Sequence, residues 1–108
     1  MNLTYLEIVK GILDRIADQQ SEVLEKVSSL CAESIMEDHF LYFLGTGHSH
    51  MVCEEPFYRA GGLVPIYPIL EPSLMLHCGA YKGTLMERLE GMAEILLEES
   101  GIQSGDIL

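Results

Sequence analysis

The feature that most constrains this chain is a short apolar run that ends at a glycine turn. Phe40-Leu41-Tyr42-Phe43-Leu44 is followed by Gly45-Thr46-Gly47-His48-Ser49-His50. A run this brief, bulky and uncharged reads as a buried strand of a parallel sheet. The residues after the turn have a helical pattern. Strand, glycine turn and helix start together form an arrangement that cradles an anion. Glycine lets the backbone approach closely, and the first free N–H groups of a helix point outward with the positive end of its dipole. Thr46 and Ser49 add hydroxyl donors, and His48 or His50 adds a charge-assisted one. The turn is neither of the common nucleotide loops. The third glycine of a dinucleotide fingerprint would fall at His50, and no Gly-Lys-Ser/Thr follows as a Walker loop requires. The plain alternative is that Gly45 and Gly47 serve only a strand-to-helix turn.

Upstream, Leu6, Val9, Leu13 and Ile16 recur at helical spacing with Glu7, Lys10 and Asp14 between them. Val23, Leu24, Val27, Leu30, Cys31, Ser34 and Ile35 mark a second amphipathic stretch that ends near Glu37-Asp38. Asp18-Gln19-Gln20-Ser21 is either a break between two helices, with Ser21 as cap, or a polar turn of one longer helix. His39, at the helix-to-strand junction, reads as structural. Downstream of the glycine turn, a helix is expected to start near Ser49 and run towards Arg59. Pro56 either kinks it or starts a new first turn, and Gly61-Gly62 ends it. A short strand is expected near Val64 to Tyr67, at or near an edge because the two prolines, Pro65 and Pro68, argue against a fully paired central strand. Glu71 to Gly83 reads as a loop with a possible helical turn at Ser73 to His77. Thr84-Leu85-Met86-Glu87 matches a capping box, with a helix behind it that stops at Ser100-Gly101. The segment from Ile102 to Leu108 turns into a further strand.

Composition narrows the function classes. The chain has 108 residues, enough for one domain, and 48% of them are hydrophobic, enough for a core. Its net charge is −11, from 17 acidic and 6 basic residues. Such a surface repels phosphate backbones and anionic lipid, so neither nucleic acid nor membrane is an expected partner. No apolar stretch approaches the ~20 residues that span a bilayer, and the first residues lack the basic and apolar blocks of a secretory signal. Cys31, Cys53 and Cys78 are an odd, scattered set, which points to a reducing cytoplasmic setting rather than a disulfide framework.

Leu44-Gly45-Thr46-Gly47-His48-Ser49-His50, with Glu54-Glu55 and Phe57-Tyr58-Arg59-Ala60-Gly61-Gly62-Leu63, resembles the first half of a SIS (sugar isomerase) domain. The closest likeness is to bacterial phosphosugar or phosphoheptose isomerase-like proteins, and it runs over most of the chain. The resemblance implies a three-layer α/β fold with a parallel, flavodoxin-like sheet. It implies a single SIS-type domain over residues 1–108, read as the N-terminal half: helices over 1–38, then the first half of the sheet over 39–108. It implies a sugar phosphate lying across the C-terminal ends of the strands. Gly45, Thr46, Gly47 and Ser49 match the family's first binding loop, and His48 and His50 match the closer subgroup only.

The activity implied is aldose–ketose isomerisation, which needs a base to move a proton between adjacent carbons and an acid at the sugar oxygens. Glu54 or Glu55 is the expected base, against a plain reading as a solvated acidic pair. His50, with His48 and His77, is an acid candidate, against a plain reading as a hydrogen-bonded loop residue. The alternatives are a sugar-phosphate-sensing module without turnover, or an etherase-type lyase on the same fold. No cofactor is expected. A lesser alternative is metal binding through His48 and His50, with Cys53, Glu54 or His77-Cys78 as further ligands, although the spacing fits no common zinc motif. In this family the N-terminal helices commonly help form a dimer. The positive mean hydropathy agrees with a homo-oligomer, as apolar surface is left to cover.

Overall fold

The structure, a computed structural model, describes residues 3–108. It divides into two compact units, one reaching to Glu33 and the other covering Ser34–Leu108. The first unit is made by helix α1 (Thr4–Met36), whose last turn belongs to the second. The helix runs unbroken through Asp18-Gln19-Gln20-Ser21, so a single helix stands where two were a possibility. None of those four residues is a strong helix breaker, and all are exposed. Lys10 and Asp14 form an exposed i,i+4 ion pair at 2.9 Å, worth a few tenths of a kcal/mol. The apolar stripe of α1, including Leu6, Leu13, Ile16, Val23, Val27 and Leu30, is exposed.

The second unit begins within the last turn of α1, at Ser34. Asp38 takes the left-handed conformation (φ +63°) that ends helices, a place more often filled by glycine. The chain then enters β1 (Leu41–Leu44), which pairs in parallel with β2 (Ile66–Ile69) in the register Leu41↔Ile66 to Leu44↔Ile69. On the other side of β1, the Tyr42 amide donates to the Ile107 carbonyl at 2.7 Å and the Ile107 amide to the Phe40 carbonyl at 3.1 Å. The expected last strand is thus a single parallel bridge, Leu41↔Ile107. β1 lies between its two neighbours, and Leu41 and Tyr42, which face opposite sides of the sheet, are both buried. The α/β class and the parallel sheet stand as expected.

β2 starts two residues later than expected and contains Pro68. The pairing explains why this is tolerated. Leu41 N–H donates to Pro65 O at 2.8 Å. In a parallel ladder that bond makes residues 67 and 69 direct their amides at β1, and residues 66 and 68 direct theirs away. Pro68 therefore stands where the ladder needs no donor. Ile66 N–H, the other outward amide, donates to Val64 O at 2.8 Å.

Leu41 and Ile66 are buried on one face of this sheet, and the main core cluster gathers on the other. Tyr42 and Ile69 pack with Leu74 and Leu96, flanked by Leu44, Met86, Met92, Leu97 and Ile102. Leu74 comes from one of two 3₁₀ turns, Pro72–Leu74 and Leu76–Cys78, that fill the expected loop. Glu71 caps the first by accepting the Ser73 amide at 2.8 Å, and hydrogen bonding from Ser73 holds the Glu71 carboxyl below its ordinary range.

The helical remainder departs from expectation at Thr84. It is not a cap but lies inside α3 (Ala80–Met86), where its hydroxyl donates to Ala80 O at 3.2 Å. Gly83 is buried against the Ser73 and Leu74 carbonyls, and this packing holds the helix a turn further upstream. Gly91 (φ +85°) then restarts the chain into α4 (Met92–Ser100), which ends as expected at Gly101 in the left-handed conformation (φ +72°).

Candidate functional site

The glycine turn leaves the C-terminal end of β1, where parallel sheets hold their ligands. Thr46 is extended, Gly47 adopts φ +53°, and Gly47–Ser49 form one 3₁₀ turn closed by Ser49 N–H donating to Thr46 O at 2.9 Å. Helix α2 (His50–Glu54) follows directly. The turn folds back over Gly45 so tightly that a Cβ there would lie 2.7 Å from the Ser49 carbonyl carbon and 2.8 Å from the His50 nitrogen. Gly45, Thr46 and Gly47 are half-buried, and His48 and Ser49 are exposed. Neither the Thr46 nor the Ser49 hydroxyl caps the turn or helix that it precedes.

The expected helix to Arg59 is instead five residues long. Pro56 has no N–H to continue the ladder, and the chain turns away through Tyr58, a non-glycine residue at φ +47°. A helix this short adds little dipole, so the turn's capacity for an anion rests on its backbone and hydroxyls. The early stop also separates the two glutamates. Glu55 pairs with the Arg59 guanidinium and is largely exposed. Glu54 turns towards His50, whose Nε2 lies 3.6 Å from Glu54 Oε1.

His50 is buried, with 5% of its surface exposed. Its Nδ1 lies 2.6 Å from the Gly47 carbonyl oxygen, and its ring lies 5.9 Å from that of His77, carried by the 76–78 turn. His50, Glu54 and His77 are thus brought together, while Glu55 pairs with Arg59 instead and His48 is exposed. The pairing of His50 with Glu54 was legible as an i,i+4 spacing. The burial of His50 and the approach of His77 had no local sequence signal.

Cys53 lies one turn along α2, buried, and its thiol is 3.9 Å from the Ser49 carbonyl. Burial pushes its thiol pKa up, which keeps it protonated and unreactive. Among the described residues, no group of three or more His, Cys, Asp or Glu side chains is placed to hold a metal ion. Beside the turn, Leu44, Thr46, Leu74, Met86, Glu87 and Met92 help line a cavity of about 140 Å³. That is below the ~300 Å³ at which small-molecule sites begin. Among the described residues, no helix is long and apolar enough to cross a membrane.

Comparison with known proteins agrees with this geometry. The SIS domain family matches residues 4–108. A UPF0309 protein of Listeria innocua is 40% identical over 104 residues, covering 96% of this chain and 42% of its own length. A UPF0309 protein of Halalkalibacterium halodurans is 39% identical over 108 residues, covering 100% of this chain and 43% of its own. One of Brucella ovis is 44% identical over 100 residues, covering 93% and 40%. The chain therefore spans about two fifths of the length of the curated relatives it matches. With a matching domain over nearly all its residues and a glycine turn at the end of a parallel strand, the chain belongs to the SIS domain family.

Proposed function

We propose that this chain binds a sugar phosphate through Gly45, Thr46, Gly47, His48 and Ser49, and that Glu54 is the base of an aldose–ketose isomerisation. The observation that carries the reading is the turn itself. It sits at the C-terminal end of a parallel strand, it is curled too tightly to admit a side chain at Gly45, and its two hydroxyls are not engaged in capping. Backbone amides and hydroxyls bind a phosphate without net positive charge, so the acidic composition is no obstacle. Between the two glutamates, Glu54 fits the base better, because Glu55 is tied to Arg59.

The test is a thermal-shift series with sugar phosphates, the parent sugars and inorganic phosphate. A sugar phosphate at a hundredfold excess over Kd stabilises by about 2.7 kcal/mol. The parent sugars are expected to do nothing, and Thr46→Ala with Ser49→Ala is expected to abolish the response. No response to any sugar phosphate would overturn the reading. Isomerisation is read separately, as exchange of the sugar C2 proton with deuterated water, and Glu54→Gln is expected to stop it.

A second reading, binding without turnover, is favoured by the burial of His50. Its Nδ1 is engaged by Gly47, so the expected acid cannot reach a sugar oxygen through that nitrogen. Persistent binding with no proton exchange would select this reading. The same proposal includes a homo-oligomer in the cytoplasm, supported by the exposed apolar stripe of α1. A clean monomer at micromolar concentration in light scattering would remove that part.

A further inference from the structure

We propose that His50 is a positioning residue that fastens the glycine turn with one ring nitrogen and orients the Glu54 carboxylate with the other. It rests on the reading above for the identity of the ligand, but not for its geometry.

At 2.6 Å from a carbonyl oxygen, Nδ1 must carry a proton, because a carbonyl only accepts. That fixes the state of the ring. Neutral His50 is the Nδ1–H tautomer, and its Nε2 then presents a lone pair. Yet Nε2 faces Glu54 Oε1 at 3.6 Å, and a carboxylate offers only lone pairs. The two atoms sit comfortably only when a donor lies between them. That donor is a proton on Nε2 or on Glu54, or the single O–H of a hydroxyl group that donates to one of them and spaces it from the other. A sugar hydroxyl is such a group. The ring thus links Gly47, whose φ of +53° shapes the turn, to the carboxylate at the far end of α2. The groups facing the ring are Glu54 from its own helix and His77 from the 76–78 turn. Burial of the ring keeps water from competing for the bond to Gly47, and the contact with the His77 ring limits rotation. A base oriented by a second group, itself fixed by a third, is the logic by which proton-transfer sites hold their geometry.

The experiment uses the ¹⁵N-labelled protein and long-range ¹H–¹⁵N correlation at the histidine rings. Nδ1 of His50 is expected to resonate as a protonated nitrogen, and an unprotonated Nδ1 overturns the proposal. Glu54→Gln is expected to move the His50 Nε2 resonance while Glu55→Gln leaves it in place. Equal effects, or none, overturn the link to Glu54. Two substitutions separate the nitrogens. His50→Asn sets an amide donor near the place of Nδ1, and His50→Gln sets one near the place of Nε2. His50→Asn is expected to keep the amide-exchange protection of Ser49, whose N–H closes the turn, and the response to a sugar phosphate, and to lose C2 proton exchange. His50→Gln is expected to lose the protection of the turn. If both variants lose that protection equally, the ring is not a specific fastener and the proposal falls. If the parent protein binds no sugar phosphate, the functional reading fails, and the resonances and turn protection still decide the role of His50.

Discussion

A methyl group on Gly45 would sit 2.7 Å from the carbonyl carbon of Ser49 and 2.8 Å from both its oxygen and the His50 nitrogen. All three are backbone atoms, so no side chain can swing aside to make room. Gly45→Ala must therefore open the turn or displace it from the end of β1. Overpacking of this kind costs about 1–3 kcal/mol. The expected outcome is a lower thermal midpoint together with loss of any sugar-phosphate response. Gly11, which meets nothing within 4 Å, is the control, and Gly11→Ala is expected to be neutral or slightly stabilising. A Gly45→Ala protein with full stability and binding would show that the close approach is not required.

The Asp106 carboxylate ties the 103–106 turn to the start of β1. Its Oδ1 accepts the Phe40 amide at 2.9 Å and its Oδ2 accepts the Gln103 amide at 2.7 Å. These two bonds, with His39 nearby at 3.5 Å, hold the carboxyl below its ordinary range. A depressed carboxyl contributes stability that is present above its unfolded pKa, about 3.9 for aspartate, and that is lost as pH falls through its lower folded value. Stability is expected to fall on the acid side of about pH 4 and to fall less steeply in Asp106→Asn. Glu71, depressed by Ser73, acts on the same limb, so Glu71→Gln removes a further part. Urea midpoints across acid pH check this, and an unchanged acid limb in both variants would refute it.

Thr84 separates a sequence pattern from a structural role. As a cap, its replacement by alanine would cost about 0.5–2 kcal/mol. Inside α3, where the hydroxyl donates to Ala80 O, the same change removes a bond that slightly disfavours helices. Thr84→Ala is expected to be neutral or mildly stabilising in urea denaturation, and a loss above about 1 kcal/mol would restore the cap.

Thr84 also shows where the sequence was silent. β1, the glycine turn and the stop at Gly101 were legible because their signals are local: an apolar run, and glycines where the chain reverses. The α/β class came from the resemblance to the SIS family, and the run itself indicated one buried strand of a parallel sheet. The capping box failed because its four residues also fit a helix interior, and the choice was made by Gly83 packing on Leu74, a tertiary contact. The two glutamates were not told apart, although His50–Glu54 and Glu55–Arg59 are both i,i+4 pairs, because an i,i+4 spacing does not say which side chain is buried beside the turn. His50 appeared as a donor on a loop, while its burial depends on a later turn that brings His77 over it. The start of β2 depended on which edge of the strand meets β1, and two prolines do not state that.

That last relationship can be tested at two adjacent positions. Tyr67 directs its amide at β1, whereas Pro68 occupies a place whose amide would point away. Tyr67→Pro removes a ladder bond and leaves the Leu41 carbonyl without its donor, at a cost of about 1–3 kcal/mol. It also removes the tyrosine ring that packs 4.9 Å from Tyr42, so Tyr67→Phe is the control for the ring. Pro68→Val is expected to leave thermal stability nearly unchanged, because no intramolecular bond is gained. It returns a free N–H to an edge that carries no further strand among the described residues. Unpaired edge amides invite pairing with a second chain, so concentration-dependent association should rise in light scattering. If Pro68→Val instead stabilises the isolated protein as strongly as Tyr67→Pro weakens it, the amides of β2 point the other way and the register is wrong.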